Sequence, residues 1–294
     1  MAVRSGRLAH VQVPSSIGKL GGAFEATGDS LLDTVAVFED WLADLSLLDE
    51  PQVSTAEGTL PGTPEEVIAN ALIGAEESLA NVRSPLDAEI WGSETLGLLT
   101  LPGIDLAEAA DLVADLIVPM AQSAGTPTAL AMLVALGGVG GGPRLPSAAG
   151  DARRCLAEAG VPVPVWAQSL GTPAIGPCWV YGDCFGEQVS VTVTFAYGRK
   201  LHALCVLIDN NLGGGVKDSY INVRVPTLRR RMFEMAGDES STFCEEVTPE
   251  YAADRLHAAM AELECPQLPD QLRSVTMRRA LLHSRVRLMH GSLS

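Results

Sequence analysis

Lysine is nearly missing from this 294-residue chain: Lys19, Lys200 and Lys217 are the whole complement, and arginine supplies the remaining 17 of its 20 basic side chains. Against 36 acids, the shortage of base leaves a formal net charge of −16. A field of that sign repels phosphate backbones, so nucleic acid is disfavoured as a partner. Long apolar runs are missing as well. The longest, ALAMLVALGGVGGG at 129–142, has 14 residues, short of the ~20 that a helix needs to cross a bilayer. The opening MAVRSGRLAHVQVPSSIG lacks the continuous apolar core of a secretory signal. The expectation is a cytoplasmic protein without a membrane partner.

Catalytic and metal signatures are missing too. The six cysteines, Cys155, Cys178, Cys184, Cys205, Cys244 and Cys265, are scattered, with no C-x-x-C pair. That argues against a zinc knuckle and for reduced, mostly buried thiols. Neither G-x-S-x-G, H-E-x-x-H nor an EF-hand loop is present, and no G-x-G-x-x-G follows a strand pattern. The glycine-rich GGVGGGPRLP lacks the Gly-Lys-Ser/Thr ending of a phosphate loop and reads as a linker or a tight packing segment. Whether the chain is an enzyme is left open by these absences.

What is present is a 47% apolar composition, ample for a core, and a charge split between the two halves. Residues 1–150 hold 20 acids and 5 bases, a net of −15, while residues 151–294 hold 16 acids and 15 bases, a net of −1. In DSLLDTVAVFEDWLADLSLL, from Asp29, apolar residues at three-and-four spacing predict an acidic amphipathic helix. Thr63–Glu66 and Asp105–Glu108 have the spacing of capping boxes, and Pro119 is expected to end or kink the second of those helices. Residues 128–136 continue as an apolar helix, and GDARRCLAEAG as another. The organisation expected is an acidic helical domain over 1–140 and, after the glycines, an α+β domain over 151–294.

The second half changes period. QVSVTVTFAYGRKLHALCVLID alternates apolar and polar residues on both sides of YGRK, which predicts a β-hairpin turning at Gly198-Arg199. Phe195 then faces His202, Val193 faces Leu204, and Val189 faces Ile208. SYINVRV is expected to return as a third strand, with helices over TLRRRMFEMAG, TPEYAADRLHAAMAELE and DQLRSVTMRRALLHSRVRLMH. The fold class is therefore α+β, a helical N-terminal domain followed by a small antiparallel sheet flanked by helices.

This register gathers polar residues at the hairpin's open end: Asp183 and Glu187 entering, then Asp209, Asn210 and Asn211 leaving. Lys217 and Asp218 follow three glycines and can fold back. Clustered carboxylates suit Mg²⁺ or Ca²⁺ or a general base of raised pKa. The plainer alternative is an Asx-type turn closed by Asp209 and Asn210, with Gly213 to Gly215 at positive φ and Lys217 neutralising Asp218. His202 sits beside the turn, seven residues from Asp209, or about 23 Å at ~3.3 Å per residue, and is out of reach of that end. The last segment gathers Arg278 and Arg285 on one flank, suited to an acidic protein surface or to the chain's own acidic half.

The run PVWAQSLGTP…CWVYGDCFGEQVSVTVTFAYGRKLHALCVLIDNNLGGGVKDSY resembles a family of actinobacterial proteins of unknown function. The similar features are Trp166, the YGD of Tyr181–Asp183, the YG…HA of Tyr197–Ala203 and the D-x-N-L-G-G…K-D of Asp209–Asp218. The likeness covers residues 160–225, more loosely the terminal arginine-rich helix, and implies no activity, cofactor or site residue. Asn210 stands where relatives are expected to carry histidine, which weighs against a histidine–metal site.

The function expected is a non-enzymatic protein-interaction or regulatory module. Its partner-facing parts are the Asp209–Asp218 loop and the terminal arginine helix, and no cofactor or metal is expected. The rival is a metal-dependent hydrolase, or another small-molecule enzyme, using Asp183, Glu187, Asp209 and Asp218.

Overall fold

A computed structural model of the chain describes residues 78–100, 105–238, 240–262 and 273–293. The helix expected from Asp29, the capping box at Thr63, Cys265 and Leu272 lie outside the described residues. The chain divides into two compact units, Met1–Val82 and Arg83–Ser294, and the second is described below. That unit runs straight across the glycine-rich segment at which the sequence suggests a boundary.

Helix α1 (Pro85–Leu98) starts where Ser84 Oγ accepts from Asp87 N, with proline in the first turn, where its missing N–H costs nothing. Helix α2 (Leu106–Leu112) opens on the expected capping box: Glu108 N donates to Asp105 Oδ1 at 2.8 Å, and Asp105 N donates to Glu108 Oε2 at 3.1 Å. Pro119 does not end this helix. The chain widens into a π-turn over Val113–Ile117, where Val118 N–H reaches back to Val113 O, and runs on as α3 (Val118–Ala124). The wider turn absorbs the ladder bond that a prolyl nitrogen cannot make. Helix α4 (Pro127–Val139), capped by Thr126, is buried on nearly every side, and α5 (Arg144–Glu158) lays Leu145, Ala149, Ala152 and Leu156 inward.

The sheet is antiparallel throughout, in the order β4-β3-β2-β1-β5: β1 (Ala174–Asp183), β2 (Gln188–Tyr197), β3 (Lys200–Asp209), β4 (Gly215–Asn222) and β5 (Thr242–Val247). The β2–β3 hairpin has the expected register, from Gln188 opposite Asp209 to Tyr197 opposite Lys200, and Gly198 takes the positive φ (60°) that its tight turn requires. Strands β1 and β5 add to the three expected. Helix α6 (Val225–Asp238) lies between β4 and β5 in sequence, and α7 (Pro249–Ala261) and α8 (Arg273–Leu293) follow β5.

The two faces of the sheet are covered unequally. On the inner face Val191, Val193 and Phe195 of β2 and Leu204, Val206 and Ile208 of β3 pack with Ala253, Leu256 and Met260 of α7 and with Leu281, Leu282 and Val286 of α8. Ile90 of α1 joins the same cluster. The outer face carries a smaller cluster, Trp179, Ala203 and Cys205 against Val225 and Met232 of α6. Helices α1 and α8 approach closely because small residues line their contact. Ser93 Oγ donates to Met277 O and accepts from Leu281 N, bridging one turn of α8. A β-carbon at Gly97 would stand 2.5 Å from Met277 Cα, closer than packed atoms allow.

Candidate functional site

At the hairpin's open end the expected neighbours do meet. Asn210 N donates to Glu187 O at 2.8 Å, and Asn210 Nδ2 donates to Gly186 O at 2.7 Å. The carboxylates of Asp183 and Asp209, however, are filled by the protein itself. Asp183 closes the β1–β2 turn by accepting from Phe185 N, Glu187 N and Gln188 N at 2.9, 3.1 and 2.7 Å, and these amides hold its carboxyl below the ordinary aspartate range. Asp209 is buried and accepts from Lys217 Nζ (2.8 Å), Gln188 Nε2 (3.0 Å) and Asn211 N (3.0 Å), with Lys217 the main cause of its lowered pKa. Lys217 thus neutralises Asp209, not Asp218, whose Oδ1 accepts from Ser219 N at 2.7 Å. The Asx turn is present. Among the described residues no three His, Cys, Asp or Glu side chains are grouped to hold a metal ion.

The arginines of α8 decide between the two surfaces that the sequence offers them, and Arg285 takes the chain's own acidic half. Arg285 does not face a partner: it is 1% exposed and forks onto Glu89 of α1, Nη1 to Oε1 at 2.9 Å and Nη2 to Oε2 at 2.5 Å. Arg278 is half-buried and donates from Nη1 to Ser219 O at 3.0 Å. The helix turns these side chains inward because Leu281, Leu282 and Met289, one turn either side of Arg285, must face the core.

Around the Glu89–Arg285 pair the turn end of the hairpin builds a buried polar network. Tyr197 Oη donates to Glu89 Oε1 at 2.7 Å and accepts from Gly171 N at 3.1 Å. The guanidinium lies 4.9 Å from the centroid of Phe195, and Arg285 Nη2 is 3.4 Å from His202 Nε2. His202 is buried, and burial together with the adjacent Arg285 pushes it down to about 3, so the imidazole is neutral. Burial, reinforced by Glu89, raises the Tyr197 phenol. Burial opposes the charge on Arg285, but Glu89 and Tyr197 together hold its pKa above the usual arginine value. Every strong donor and acceptor is met inside the protein, which makes this network a structural joint between α1, α8 and the sheet. His202 stands at the turn end, as the register requires.

A concave feature among the described residues lies on the outer face. Between α6 and the turn end of β1–β3 runs an open groove of about 680 Å³ over Pro177, Trp179, Thr194 and Leu201, walled by Val225, Pro226 and Phe233. Its polar floor atoms are already used: Trp179 Nε1 donates to Met232 Sδ at 3.2 Å, and Thr194 Oγ1 donates to Pro177 O at 2.8 Å. Arg229 and Arg230 stand on its rim, the first over the Phe233 ring at 4.7 Å and paired with Glu246, the second 3.9 Å from Glu234. Comparison with family models, curated proteins and solved structures finds no match.

Sequence reasoning missed Glu89, Tyr197 and the whole groove. A signal for the network was present, because Arg285 falls at helical spacing from Leu281, Leu282 and Met289 on a stripe that must be buried. The groove had no such signal, since it depends on how much of the sheet α6 covers.

Proposed function

We propose that this protein is a non-enzymatic protein-interaction module, and that its partner-facing surface is the groove between α6 and the outer face of the sheet. The observation that carries this reading is the uncovered apolar surface there. Leu201 is 47% exposed beside a floor whose Trp179 and Thr194 side chains are already hydrogen-bonded. An apolar centre inside a charged rim is the anatomy of an association surface. A small-molecule site would instead present a few convergent polar anchors. The metal-hydrolase alternative has less support, since Asp183 and Asp209 are spent on turn amides and Lys217. A cytoplasmic setting belongs to the same reading, and the free thiols of Cys155, Cys178, Cys184, Cys205 and Cys244 suit a reducing compartment.

Site-specific photo-crosslinking tests it. A benzophenone side chain at Leu201 should yield a discrete protein adduct in cells, lost when Phe233→Asp is added. The same probe at Asp151, on the exposed side of α5, should give none. Equal adducts at both positions, or none at Leu201, would remove the groove as the partner surface.

A further inference from the structure

We infer that the open edge of β5 takes up an extended strand of a partner protein, one that carries a basic residue with an apolar residue two positions to either side. This goes beyond the interaction reading above and does not depend on the groove. The sheet ends in β4 on one side and in β5 on the other. At the β4 edge the protein answers its own backbone: Ser219 N donates to Asp218 Oδ1 at 2.7 Å, and Ser219 O accepts from Arg278 Nη1 at 3.0 Å. Among the described residues the β5 edge has no such closure. Cys184 N donates to Ser241 O at 2.7 Å, which sets the parity of the β1–β5 ladder, so Phe243, Glu245 and Val247 exchange backbone bonds with β1. Cys244 and Glu246 therefore turn N–H and C=O outward, to the side where no further strand lies.

A row of open backbone groups is a template for one more strand, whose main chain supplies affinity and whose alternate side chains supply the choice of partner. The choice is written on the face that β5 shares with the inner cluster. Phe243 and Val247 are half-buried and packed on that cluster, and Glu245 stands exposed between them. Towards an added strand these three are the non-hydrogen-bonded positions, where facing side chains come closest. Apolar residues opposite Phe243 and Val247 extend the apolar surface, and the residue opposite Glu245 meets a carboxylate. On the other face Glu246 is already paired with Arg229. Glu245 belongs to none of the ion pairs among the described residues, and a lysine or arginine opposite supplies its cation.

A second copy of this chain is the rival occupant. Its β5 would bring Glu245 and Glu246 to a junction that already holds both, between two molecules of net charge −16. The field that keeps copies apart draws a basic segment in.

Short fluorescent peptides titrated with the full-length protein and read by anisotropy decide the matter. The first is centred on Val-Thr-Lys-Thr-Val. In the second Glu replaces the Lys, and the third is the first with both threonine amides N-methylated, which removes the donors that would meet Cys244 and Glu246. The first should bind about tenfold tighter than the second, through the charge opposite Glu245, and about tenfold tighter than the third, through the lost backbone bonds. Glu245→Lys, at an exposed position, should reverse the order of the first two, and Leu201→Asp in the groove should leave all three unchanged. The amides of Cys244 and Glu246 should gain protection from hydrogen exchange when the first peptide saturates the protein. The inference is overturned if the second or third peptide binds as well as the first, if Glu245→Lys keeps the original order, if Leu201→Asp weakens binding, or if no peptide binds. Protection of those amides before any peptide is added, with sedimentation showing a dimer, would give the edge to a second copy and overturn it too. None of these outcomes touches the Leu201 crosslink, so the groove stands or falls on its own test.

Discussion

Glu89 and Asp209 perform the same elementary task, each meeting one cation, at opposite ends of one hairpin. Glu89 and Arg285 are both 1% exposed, whereas Lys217 keeps 29% of its side chain accessible beside Asp209 at 5%. Water reaches Lys217 at the open end but neither partner at the turn end. The comparison teaches that an identical carboxylate–cation contact serves as a joint in one place and as a turn fastener in the other. Nor does the cluster richest in charge in the sequence have to be the site that meets other molecules.

The largest effect should follow from breaking the buried pair. Glu89→Gln leaves the Arg285 charge dehydrated and unanswered, and the expected loss is about 3–5 kcal/mol of unfolding free energy. Urea denaturation measures it, and adding Arg285→Met should recover a good part, because no buried charge is then left over. A loss no greater than that of the open-end variants below would erase the contrast between the two ends.

A second carboxylate on α1 sharpens it. Glu94 is also buried but has no forked arginine, and its Oε2 has no hydrogen-bond partner. Burial raises it to about 7, against a smaller lowering by Arg278. With the folded pKa above the ordinary 4.5, Glu94 favours folding below that value and loses its contribution as pH rises towards 7. Glu94→Gln should therefore be more stable than the parent at pH 8, by about 2–3 kcal/mol, with the gap closing towards pH 5. His202 acts in the opposite sense. Its folded value near 3 lies below the ordinary 6.5, so its contribution is present at neutral pH and fades as acid charges the unfolded chain. Thermal melts from pH 5 to pH 8 on Glu94→Gln and the parent separate the two slopes, and parallel curves would contradict the assignment to Glu94.

How much of this was legible follows from the range of each signal. The β2–β3 register could be read because alternation of period two and a glycine turn fix it locally, and with it came the company of Asp183, Glu187, Asp209 and Asn210. The capping box at Asp105 was legible for the same reason. Strand β1 was hidden by Gly176 and Pro177, where its pairing with β2 shifts register, and β5 by its brevity and the adjacent Glu245 and Glu246. The Glu89–Arg285 joint spans 196 positions, and no local pattern names a partner that far away. The groove was the least legible, because exposure of Leu201 records where α6 stops covering the sheet.

At the open end the expected effects are smaller and graded. Asp209→Asn removes the charge that Lys217 and two further donors answer, and about 1–2 kcal/mol should be lost at pH 7. Because its folded pKa is depressed, that loss should shrink as acid protonates the parent's carboxylate, flattening the acid limb of the stability curve.

Lys217→Met should have the smallest effect. The substitution deletes only the ammonium, and Asp209 retains the amide of Asn211 and the side chain of Gln188. An ion pair with one partner still in contact with water contributes about 1 kcal/mol or less, and salt screens it. The variant should fall about that far below the parent at low ionic strength and converge on it near 0.5 M NaCl, where the Debye length is about 4 Å. Glu89→Gln, whose loss arises in the dry interior, should hold its full deficit across the same salt series. If Lys217→Met proves as costly and as insensitive to salt as Glu89→Gln, then accessibility does not set the strength of these contacts, and the distinction between joint and fastener has to be abandoned.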